Sequence, residues 1–427
     1  MRILIKRAAM RSQGPSALRM LATAMLVCWA VGFSRVKAAD WPGWRGPARD
    51  GHVSGLALPQ QWPKGLHRLW RVVVGEGHAS PVVQGDRVFV LSREAEQEVV
   101  RAIRLADGQE LWRQSYPAPF EPSPWALAHG KGPKATPVVA GDKLFTVGID
   151  SVVSCWDAQD GRLLWRRQFS DRFKRISPYF YGMAVSPLVQ GDRLLAFVGR
   201  YGEGAFTAFD TVSGKTVWEW TGDGPGYASP VVAAIGGVEQ IITQSQNACV
   251  GLSLAQGELL WSIPFKTDYD QNIVTPVVAE GLVIFAGLSK PTTAYRLVQS
   301  AGRWEPQKVW ENTEASLYMS SPVAVAGRLV AFSNRKKGQF MCLDLATGKT
   351  LWASDGRMGD NAALLAAGEP ILALTTQRRL LVFQATAQTF APLAEYQVAD
   401  EPTWAHPALV GNRLLIKDKT TLACWTW

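Results

Sequence analysis

A short phrase that ends in tryptophan recurs along this chain and constrains its fold more than any other feature. Its best copy is Asp210-Thr-Val-Ser-Gly-Lys-Thr-Val-Trp218, which indicates a strand end, a tight turn at Gly214 and a new strand. The other copies are Asp157–Trp165, Asp344–Trp352, Ala106–Trp112 and Ala255–Trp261. With Trp310 included, the closing tryptophan returns every 42 to 53 residues. This spacing indicates a repeat fold.

A second phrase, in which Ser or Thr (His in the last copy) precedes Pro, two apolar residues and a glycine turn, begins each repeat. Its copies are Ser80-Pro81, Thr136-Pro137, Ser186-Pro187, Ser229-Pro230, Thr275-Pro276, Ser321-Pro322 and His406-Pro407, with a degenerate copy at Ala363–Gly368. Each copy opens a short strand, and two more strands fit between it and the strand that carries the tryptophan. Four short strands per repeat predict the blades of a β-propeller.

The chain ends predict how the ring closes. The last repeat stops at Trp427 before its fourth strand, whereas His67–Val74 is a Trp-bearing strand with no blade ahead of it. Pairing of these ends would complete an eighth blade and remove two exposed edges. We therefore predict an all-β fold, an eight-bladed β-propeller of four-stranded antiparallel blades closed by pairing of N- and C-terminal strands. Seven blades is the alternative if residues 362–397 do not form a full blade.

One aromatic residue is expected to close each blade. The predicted docking tryptophans are Trp70, Trp112, Trp165, Trp218, Trp261, Trp310 and Trp352, and Tyr396 is expected to replace tryptophan in blade seven. Cys155, Cys249, Cys342 and Cys424 all fall on the strand before the glycine turn, in alternate repeats. They are therefore expected to be buried and too far apart to form disulfides.

The N-terminal region is predicted to direct export. Residues 1–38 contain seven Lys or Arg and no acidic residue, and their basic start precedes an apolar run from Leu18 to Phe33. This order, with Val36-Lys37-Ala38 at its end, is typical of a signal peptide cleaved after Ala38. The alternative is retention as a membrane anchor, although a run of about 16 apolar residues is short for a span. Cys28 lies inside the run, which is a poor match to a lipoprotein signal.

The rest of the chain divides into an extension and one large repeat domain. Residues 39–65 are rich in Pro and Gly, so we expect an irregular segment that packs on the main body. Residues 66–427 hold the propeller repeats. The chain has a formal charge of +9, and the seven basic residues of the signal peptide leave +2 for the remainder. We therefore expect neither nucleic-acid binding nor a transmembrane span after signal cleavage.

Residue types that commonly carry catalysis are sparse. The five histidines form no pair at metal-ligand spacing, and no Cys-x-x-Cys, nucleophile elbow or phosphate loop occurs in a suitable context. The acidic residues lie mostly at turns, where Asp follows Gly for conformational reasons. We predict no catalytic residue, no metal site and no bound cofactor.

Binding residues are expected on one face of the ring. Turns after the first and third strands of each repeat are short, whereas the other connections vary and include long loops at 114–134 and 167–183. Variable loops on a rigid scaffold commonly carry binding sites. Counting three residues back from each strand-one proline, or its equivalent, gives His78, Lys134, Ala184, Tyr227, Ile273, Met319, Asn361 and Trp404. We expect binding at His78, Lys134, Met183, Tyr227, Met319, Asn361 and Trp404, and the aromatic and Met content favours a protein or peptide.

The alternative is that these residues plug the channel and pack against neighbouring loops. A second candidate surface is basic and follows the second strands of blades six to eight. It comprises Arg335, Lys336, Lys337, Arg378 and Arg379, together with Lys417 and Lys419. These residues are expected to form a basic arc for an acidic partner, or else to be solvated loop charges. Trp125, Tyr179 and Tyr181 of the long loops are candidate stacking platforms for a carbohydrate.

The Ala208–Trp218 phrase resembles the tryptophan-docking motif of PQQ-type propeller repeats, with Cys155 and Cys342 at the alanine position of two other copies. In that family the tryptophan wedges between its own blade and the next, and the glycine permits the turn beneath it. The resemblance covers about residues 66–427 and implies the fold, because the repeat builds the ring whatever the function.

Two branches of this resemblance imply different functions. Quinoprotein dehydrogenases hold pyrroloquinoline quinone with Ca²⁺ beside an Asp base and often a vicinal cysteine pair, and this chain has no adjacent cysteines. BamB-type propellers are eight-bladed periplasmic scaffolds of outer-membrane protein assembly, and the chain is similar to them in length, export signal and channel mouth. This branch implies an exported, non-enzymatic scaffold that binds envelope proteins. A PQQ-dependent oxidoreductase and a carbohydrate- or small-ligand-binding propeller are the alternatives.

Overall fold

Eight antiparallel sheets of four strands each make up the described part of the chain. The computed structural model describes residues 40–427 apart from residues 57, 174–180 and 201, so the predicted signal peptide at 1–38 lies outside the described residues. The innermost strands of neighbouring sheets contact one another around a central channel. The fold is an eight-bladed β-propeller, as the repeats predict.

The first strand in the chain, β1 (His67–Val73), belongs to the last blade. Blade one contains β2 (Val82–Gln84), β3 (Arg87–Glu94), β4 (Gln97–Arg104) and β5 (Glu110–Pro117). Blade two contains β6 (Val138–Ala140), β7 (Lys143–Val147), β8 (Val153–Asp157) and β9 (Leu163–Arg167). Blade three contains β10 (Leu188–Gln190), β11 (Arg193–Arg200), β12 (Glu203–Asp210) and β13 (Thr216–Trp220). Blade four contains β14 (Val231–Ile235), β15 (Val238–Gln244), β16 (Ala248–Ser253) and β17 (Leu259–Pro264).

The second half of the ring repeats this arrangement. Blade five contains β18 (Val277–Ala279), β19 (Leu282–Gly287), β20 (Lys290–Ser300) and β21 (Arg303–Asn312). Blade six contains β22 (Val323–Val325), β23 (Arg328–Ser333), β24 (Gln339–Asp344) and β25 (Thr350–Ala353). Blade seven contains β26 (Ala362–Ala366), β27 (Pro370–Thr375), β28 (Arg379–Gln384) and β29 (Pro392–Gln397). Blade eight contains β30 (Ala408–Val410), β31 (Arg413–Lys417) and β32 (Thr421–Thr426).

Strand β1 closes the ring as the fourth strand of blade eight. It pairs antiparallel with β32, from His67 opposite Thr426 to Val73 opposite Thr421. Blade seven is a complete four-stranded sheet, so the seven-blade alternative is wrong. Short 3₁₀ turns at Pro124–His129, Asp268–Asp270 and Arg335–Lys337 lie in the connections between strands.

Tryptophans of the outermost strands join blades to their neighbours. The indole N–H of Trp165 donates to the Thr211 carbonyl at 3.2 Å, and a Cβ on Gly214 would come within 2.5 Å of its ring. Gly214 has φ of +65°, so glycine meets both the conformational and the steric requirement. Trp70, Trp112 and Trp310 donate in the same way to the carbonyls of Leu105, Ala158 and Leu345, and Trp218 packs on Gly257.

The remaining closing positions differ. Trp261 donates to the Gln240 side chain of its own blade, at 2.7 Å. The expectation that Tyr396 replaces tryptophan in blade seven is wrong, because Ala394 occupies the position opposite Val382 that matches the Trp352 position in blade six. Tyr396 lies two residues further on, and its hydroxyl donates to the Pro63 carbonyl of the extension at 2.8 Å.

The residue before each strand-one proline links the inner strands circumferentially. The Thr136 N–H donates to Ser186 Oγ at 3.0 Å, and the Ser186 N–H donates to Ser229 Oγ at 3.0 Å. The same bond joins Ser80 to Thr136 and Thr275 to Ser321. A hydroxyl at this position therefore accepts the N–H of the preceding blade, which would otherwise be a buried unpaired donor.

Residues 40–53 form a plug inside the channel. The Asp40 carboxylate accepts the Gly85 N–H at the strand-one turn, so the segment enters from the face of short turns, the uniform face. It contacts the inner strand or its proline corner in all eight blades. In blade order the partners are Val83 with Trp41, Val139 with Pro42, Pro187 and then Pro230 with Arg49, Thr275 with Trp44, Pro322 with Arg45, Ala366 with Gly51 and Val53, and His406 with Trp44.

Candidate functional site

A pocket opens at the other end of the channel, on the face that carries the variable connections, the variable face. Its open volume, including solvent above the rim, is about 900 Å³. It is lined by Trp44, His78, His129, Lys134, Tyr181, Ala184, Tyr227, Ser229, Gln271, Ile273, Met319, Asn361, Trp404 and His406, and these residues define the mouth pocket. Trp44 and His406 stack edge to face with ring centroids 4.7 Å apart. Because Trp44 belongs to the plug, the mouth pocket has a floor and does not continue through the ring.

Each blade contributes one residue to this lining through the connection that leads into its first strand. The eight residues found by counting three positions back from each strand-one proline, or its equivalent, all line the mouth pocket, including Ala184 and Ile273. Met183 does not; it is 1% exposed and packs in the hydrophobic core of blades two and three, so this expectation is wrong. The expected binding role of the other six residues remains a prediction.

Aromatic rings form one wall of the mouth pocket. The His129 ring lies 5.3 Å from Trp404, 6.3 Å from His78 and 6.1 Å from Tyr181, measured between centroids. Tyr181 also lies 6.1 Å from Tyr227, whose hydroxyl accepts the Tyr181 backbone N–H. The long loop of blade one thus brings His129 against rings from the connections that lead into blades one, three and eight.

The charged groups of the mouth pocket are all basic. Burial lowers the pKa of Lys134 to about 8, with Glu98 behind it raising the value, so most of this amine is protonated at neutral pH. Burial also lowers the pKa of His78 and of His129, and the nearby Lys134 charge lowers both further. Both imidazoles are therefore neutral at pH 7 and can each donate one hydrogen bond and accept another.

Two polar atoms at the mouth pocket are buried and have no hydrogen-bond partner among the described residues. They are Nδ1 of His406, which is 5% exposed, and Oδ1 of Asn361, which is 9% exposed. Burial lowers the pKa of His406 well below its ordinary value, and the Arg45 charge acts in the same direction. Buried polar atoms almost always have partners, so these two atoms mark the pocket as polar at its base.

The floor is backed by two buried guanidinium groups of the plug. Arg49 donates to the carbonyls of Pro230, Pro187 and Ser186 at 2.7 to 3.0 Å, and burial lowers its pKa to about 9. Arg45 donates to the Pro322 carbonyl at 2.6 Å, and burial lowers its pKa to about 10, against the raising effect of Asp50.

The predicted basic arc is smaller than the sequence implies. Lys417 is 0% exposed and donates to three backbone carbonyls, so its inclusion was wrong. Arg379 pairs with Glu395, Arg378 donates to the Asp400 carbonyl, and Lys419 lies 3.6 Å from Glu76. The exposed 3₁₀ turn Arg335–Lys337 remains as a basic turn, and no ion pair joins it to another described residue.

The residues present do not fit a calcium-bound quinone. Ca²⁺ prefers carboxylate oxygens, and no Asp or Glu is among the residues that line the mouth pocket. Among the described residues, no three His, Cys, Asp or Glu side chains are placed to hold a metal ion. Within the same ranges, no helix is long and apolar enough to cross a membrane. Of the proposed carbohydrate platforms, Trp125 is exposed, Tyr181 lines the mouth pocket and Tyr179 lies outside the described residues.

The fold and its blind axial pocket define an eight-bladed propeller with a plugged channel and a recessed site at the channel mouth. Comparison with known proteins then assigns the family. The sequence profile of the family described as "Outer membrane protein assembly factor BamB" matches residues 95–354, and the chain belongs to this family. BamB of Yersinia pestis is 24% identical over 241 residues, which cover 53% of this chain and 59% of that protein. The match thus spans about three fifths of the length of that relative.

Solved structures extend the likeness in fold. BamB from Moraxella catarrhalis superimposes with a TM-score of 0.60 at 14% identity, covering 85% of this chain and 98% of its own. A quinohemoprotein alcohol dehydrogenase from Comamonas testosteroni also gives a TM-score of 0.60 at 14% identity, covering 91% and 80%. At these identities the likeness concerns the fold alone, because one propeller fold hosts many functions.

Proposed function

We propose that this protein is an exported scaffold that binds a polypeptide of the cell envelope through its variable face, in outer-membrane protein assembly. Membership of the assembly-factor family supports this role. The signal-like residues 1–38 support export, with the mature protein in the periplasm or at the envelope. The likeness to quinoproteins is one of fold, and the lining of the mouth pocket does not favour their chemistry.

Exposed apolar side chains around the mouth pocket carry the proposal. Trp125 is 64% exposed and Leu127 is 65% exposed, on the 3₁₀ turn that ends at the pocket residue His129. Tyr269 is 58% exposed, in a turn two residues before the pocket residue Gln271. Large apolar side chains that rim a concave site on a rigid scaffold are typical of protein-binding surfaces.

The basic turn Arg335–Lys337 gives this face a preference for acidic partners. Lys336 and Lys337 have φ of 52° and 62°, left-handed values that are uncommon for lysine. The Arg357 N–H, from the next connection, donates to the Lys336 carbonyl at 3.0 Å. This contact holds the turn in place beside a further positive charge. The partner is therefore expected to present apolar side chains flanked by carboxylates.

Site-specific photocrosslinking tests the proposal in cells that produce the whole protein. We expect benzoylphenylalanine at position 125 to form discrete adducts with envelope polypeptides. The matched control is position 212, because Val212 is 70% exposed but lies in a third-to-fourth-strand turn on the uniform face. Charge reversal at Lys336 and Lys337 should lower the yield of the position-125 adducts, and reversal of the exposed Lys215 should not. Equal adduct patterns at positions 125 and 212 would contradict the proposal.

A further inference from the structure

The mouth pocket has a chemistry that a general protein-docking surface does not require. Its lining contains the Lys134 amine and the imidazoles of His78, His129 and His406, but no carboxylate. Glu98 lies behind Lys134, where it accepts hydrogen bonds from the Tyr116 hydroxyl and from the Ile149 N–H. The acid therefore already has partners in the wall, and the Lys134 amine makes only a long 3.5 Å contact to the Gly132 carbonyl. An anionic group would give this amine the partner that it lacks.

The base of the pocket needs polar partners as well. Asn361 lines the pocket, and its side-chain amide can donate and accept hydrogen bonds with an occupant. His406 Nδ1 is buried and unpaired, and burial together with the Arg45 charge keeps this imidazole neutral by lowering its pKa. Leaving such buried groups unpaired costs about 1 to 3 kcal/mol each. An occupant with a hydroxyl group would satisfy Asn361.

The walls favour a flat ring. Trp404, His129, Tyr181 and Tyr227 form a connected series of rings whose neighbouring centroids are 5.3 to 6.1 Å apart. Met319 and Ile273 complete the apolar part of the lining. Aromatic walls of this kind stabilise ring-bearing ligands by stacking and edge contacts. The Trp44 floor limits the depth, so the site suits a compact molecule better than a threaded chain.

We propose that the mouth pocket binds a small organic anion of the hydroxyaryl carboxylate class. The carboxylate lies against Lys134 Nζ with His78 as a second donor, and the ring lies among Trp404, His129 and Tyr181. The hydroxyl forms a hydrogen bond with the Asn361 side-chain amide. Binding involves no bond-making step and no metal. This inference goes beyond the scaffold role, and it concerns the recess of the variable face, whereas protein docking concerns the rim.

Titration calorimetry of the unmodified protein with a series of probe compounds tests each part of the proposal. The positive set is para-hydroxybenzoate, para-hydroxyphenylacetate and para-coumarate. Three matched analogues each remove one feature: benzoate lacks the hydroxyl, para-hydroxybenzyl alcohol lacks the charge, and trans-4-hydroxycyclohexanecarboxylate lacks the flat ring. Glucose is the neutral carbohydrate control. We expect saturable one-to-one binding of at least one member of the positive set, weaker binding of each analogue, and no effect of a chelator.

Protein variants test the residues. Lys134→Met should raise the Kd for the best probe about tenfold or more, because a charge-assisted hydrogen bond is lost. Asn361→Leu should weaken binding of the hydroxylated probe and leave benzoate binding unchanged. Lys215→Met, an exposed lysine on the uniform face, is the matched control and should change neither. Circular dichroism and urea unfolding of each variant separate a folding defect from a loss of binding.

The inference is overturned if none of the three hydroxyaryl carboxylates binds saturably. It is also overturned if the neutral alcohol binds as tightly as its carboxylate, or if glucose binds more tightly than all of them. These results are independent of the photocrosslinking at position 125, because Trp125 does not line the mouth pocket. A negative result in one experiment therefore does not contradict the proposal that the other experiment tests.

Discussion

Lys134 determines much of the electrostatics of the mouth pocket. Burial favours its neutral form, and the Glu98 carboxylate opposes that effect. His78 and His129 are the other titratable groups that face it from the lining, and both are neutral because their pKa values are lowered. A pKa of about 8 means that the single formal charge of the lining can be removed within an accessible pH range.

The affinity for para-hydroxybenzoate or its analogues is therefore expected to depend on pH in one direction. Below about pH 7 Lys134 is protonated and affinity is at its maximum; as pH rises through about 8 the amine loses its proton and affinity falls. Calorimetric titrations between pH 6.5 and 9.5 measure this change. In Lys134→Met the affinity should be lower and flat over the same range. An unchanged pH profile in that variant would assign the titration to another group.

Sequence reasoning located part of this site and missed part of it. A count of three residues back from each proline is a property of the repeat, so it found all eight lining positions that the repeat supplies. His129 and Gln271 come from connections that share no motif, and nothing periodic marks them, whereas Tyr181 was named only as a candidate stacking platform for a carbohydrate. His406 did carry a signal, because it stands where the other complete copies have Ser or Thr. Met183 was misplaced by one position, which moves a side chain from the pocket to the core.

At the scale of the element, the turn between the third and fourth strands explains why glycine recurs. Gly214 in this turn and Gly191 in the turn between β10 and β11 both have left-handed φ values, +65° and +58°, yet only Gly214 lies under a tryptophan of the preceding blade. A Cβ at Gly191 meets no atom within 4 Å. Substitutions at the two positions therefore separate the energetic cost of backbone strain from the cost of a clash with Trp165.

Replacement of each glycine by alanine is expected to give different losses of stability. Gly191→Ala should lower the free energy of unfolding by about 1 to 2 kcal/mol, the cost of the left-handed backbone. Gly214→Ala should cost about 1 to 3 kcal/mol more, because Trp165 must move from its place between blades. Urea unfolding followed by tryptophan fluorescence measures both. Equal losses would show that the tryptophan does not restrain this turn.

The Ser/Thr-Pro phrase was recognised as the start of a strand, but its physical role was not visible in the sequence. The hydroxyl of Ser186 or Thr136 accepts a backbone N–H from the neighbouring blade, which is a long-range contact. Blade seven lacks the phrase and also has Ala394 in place of a docking tryptophan. Blade seven therefore matches neither motif because it lacks these contacts to its neighbours. Its own four strands still pair normally.

For the whole molecule, the plug is the feature that sequence reasoning did not anticipate. The composition of residues 39–65 predicted an irregular segment on the main body, with no indication that it enters the channel. Repeat analysis could not reveal this, because the plug occurs once and its partners are mostly backbone carbonyls. Arg49 donates to backbone carbonyls of both blade three and blade four, and Arg45 donates to a carbonyl of blade six.

Arg49→Met is expected to lower the free energy of unfolding by about 2 to 4 kcal/mol, because three buried carbonyls lose a charged donor. Urea denaturation of the folded protein measures the change. The control is Arg162→Met, whose side chain is 65% exposed and which should differ from the unmodified protein by less than about 0.5 kcal/mol. A loss at Arg49 no greater than at Arg162 would mean that the plug does not couple the blades.

The plug also imposes an order on folding. Residues 40–53 leave the ribosome before any blade, yet their partners extend to Ala366 and His406, and β1 must wait for β32. Contacts of such long sequence separation form late. All partners of the plug are therefore present only when the last blade has been made, and a chain truncated in its final blades would lack the contacts to Ala366 and His406. Complete protection of residues 40–53 from protease would then report that the whole ring has been synthesised and closed.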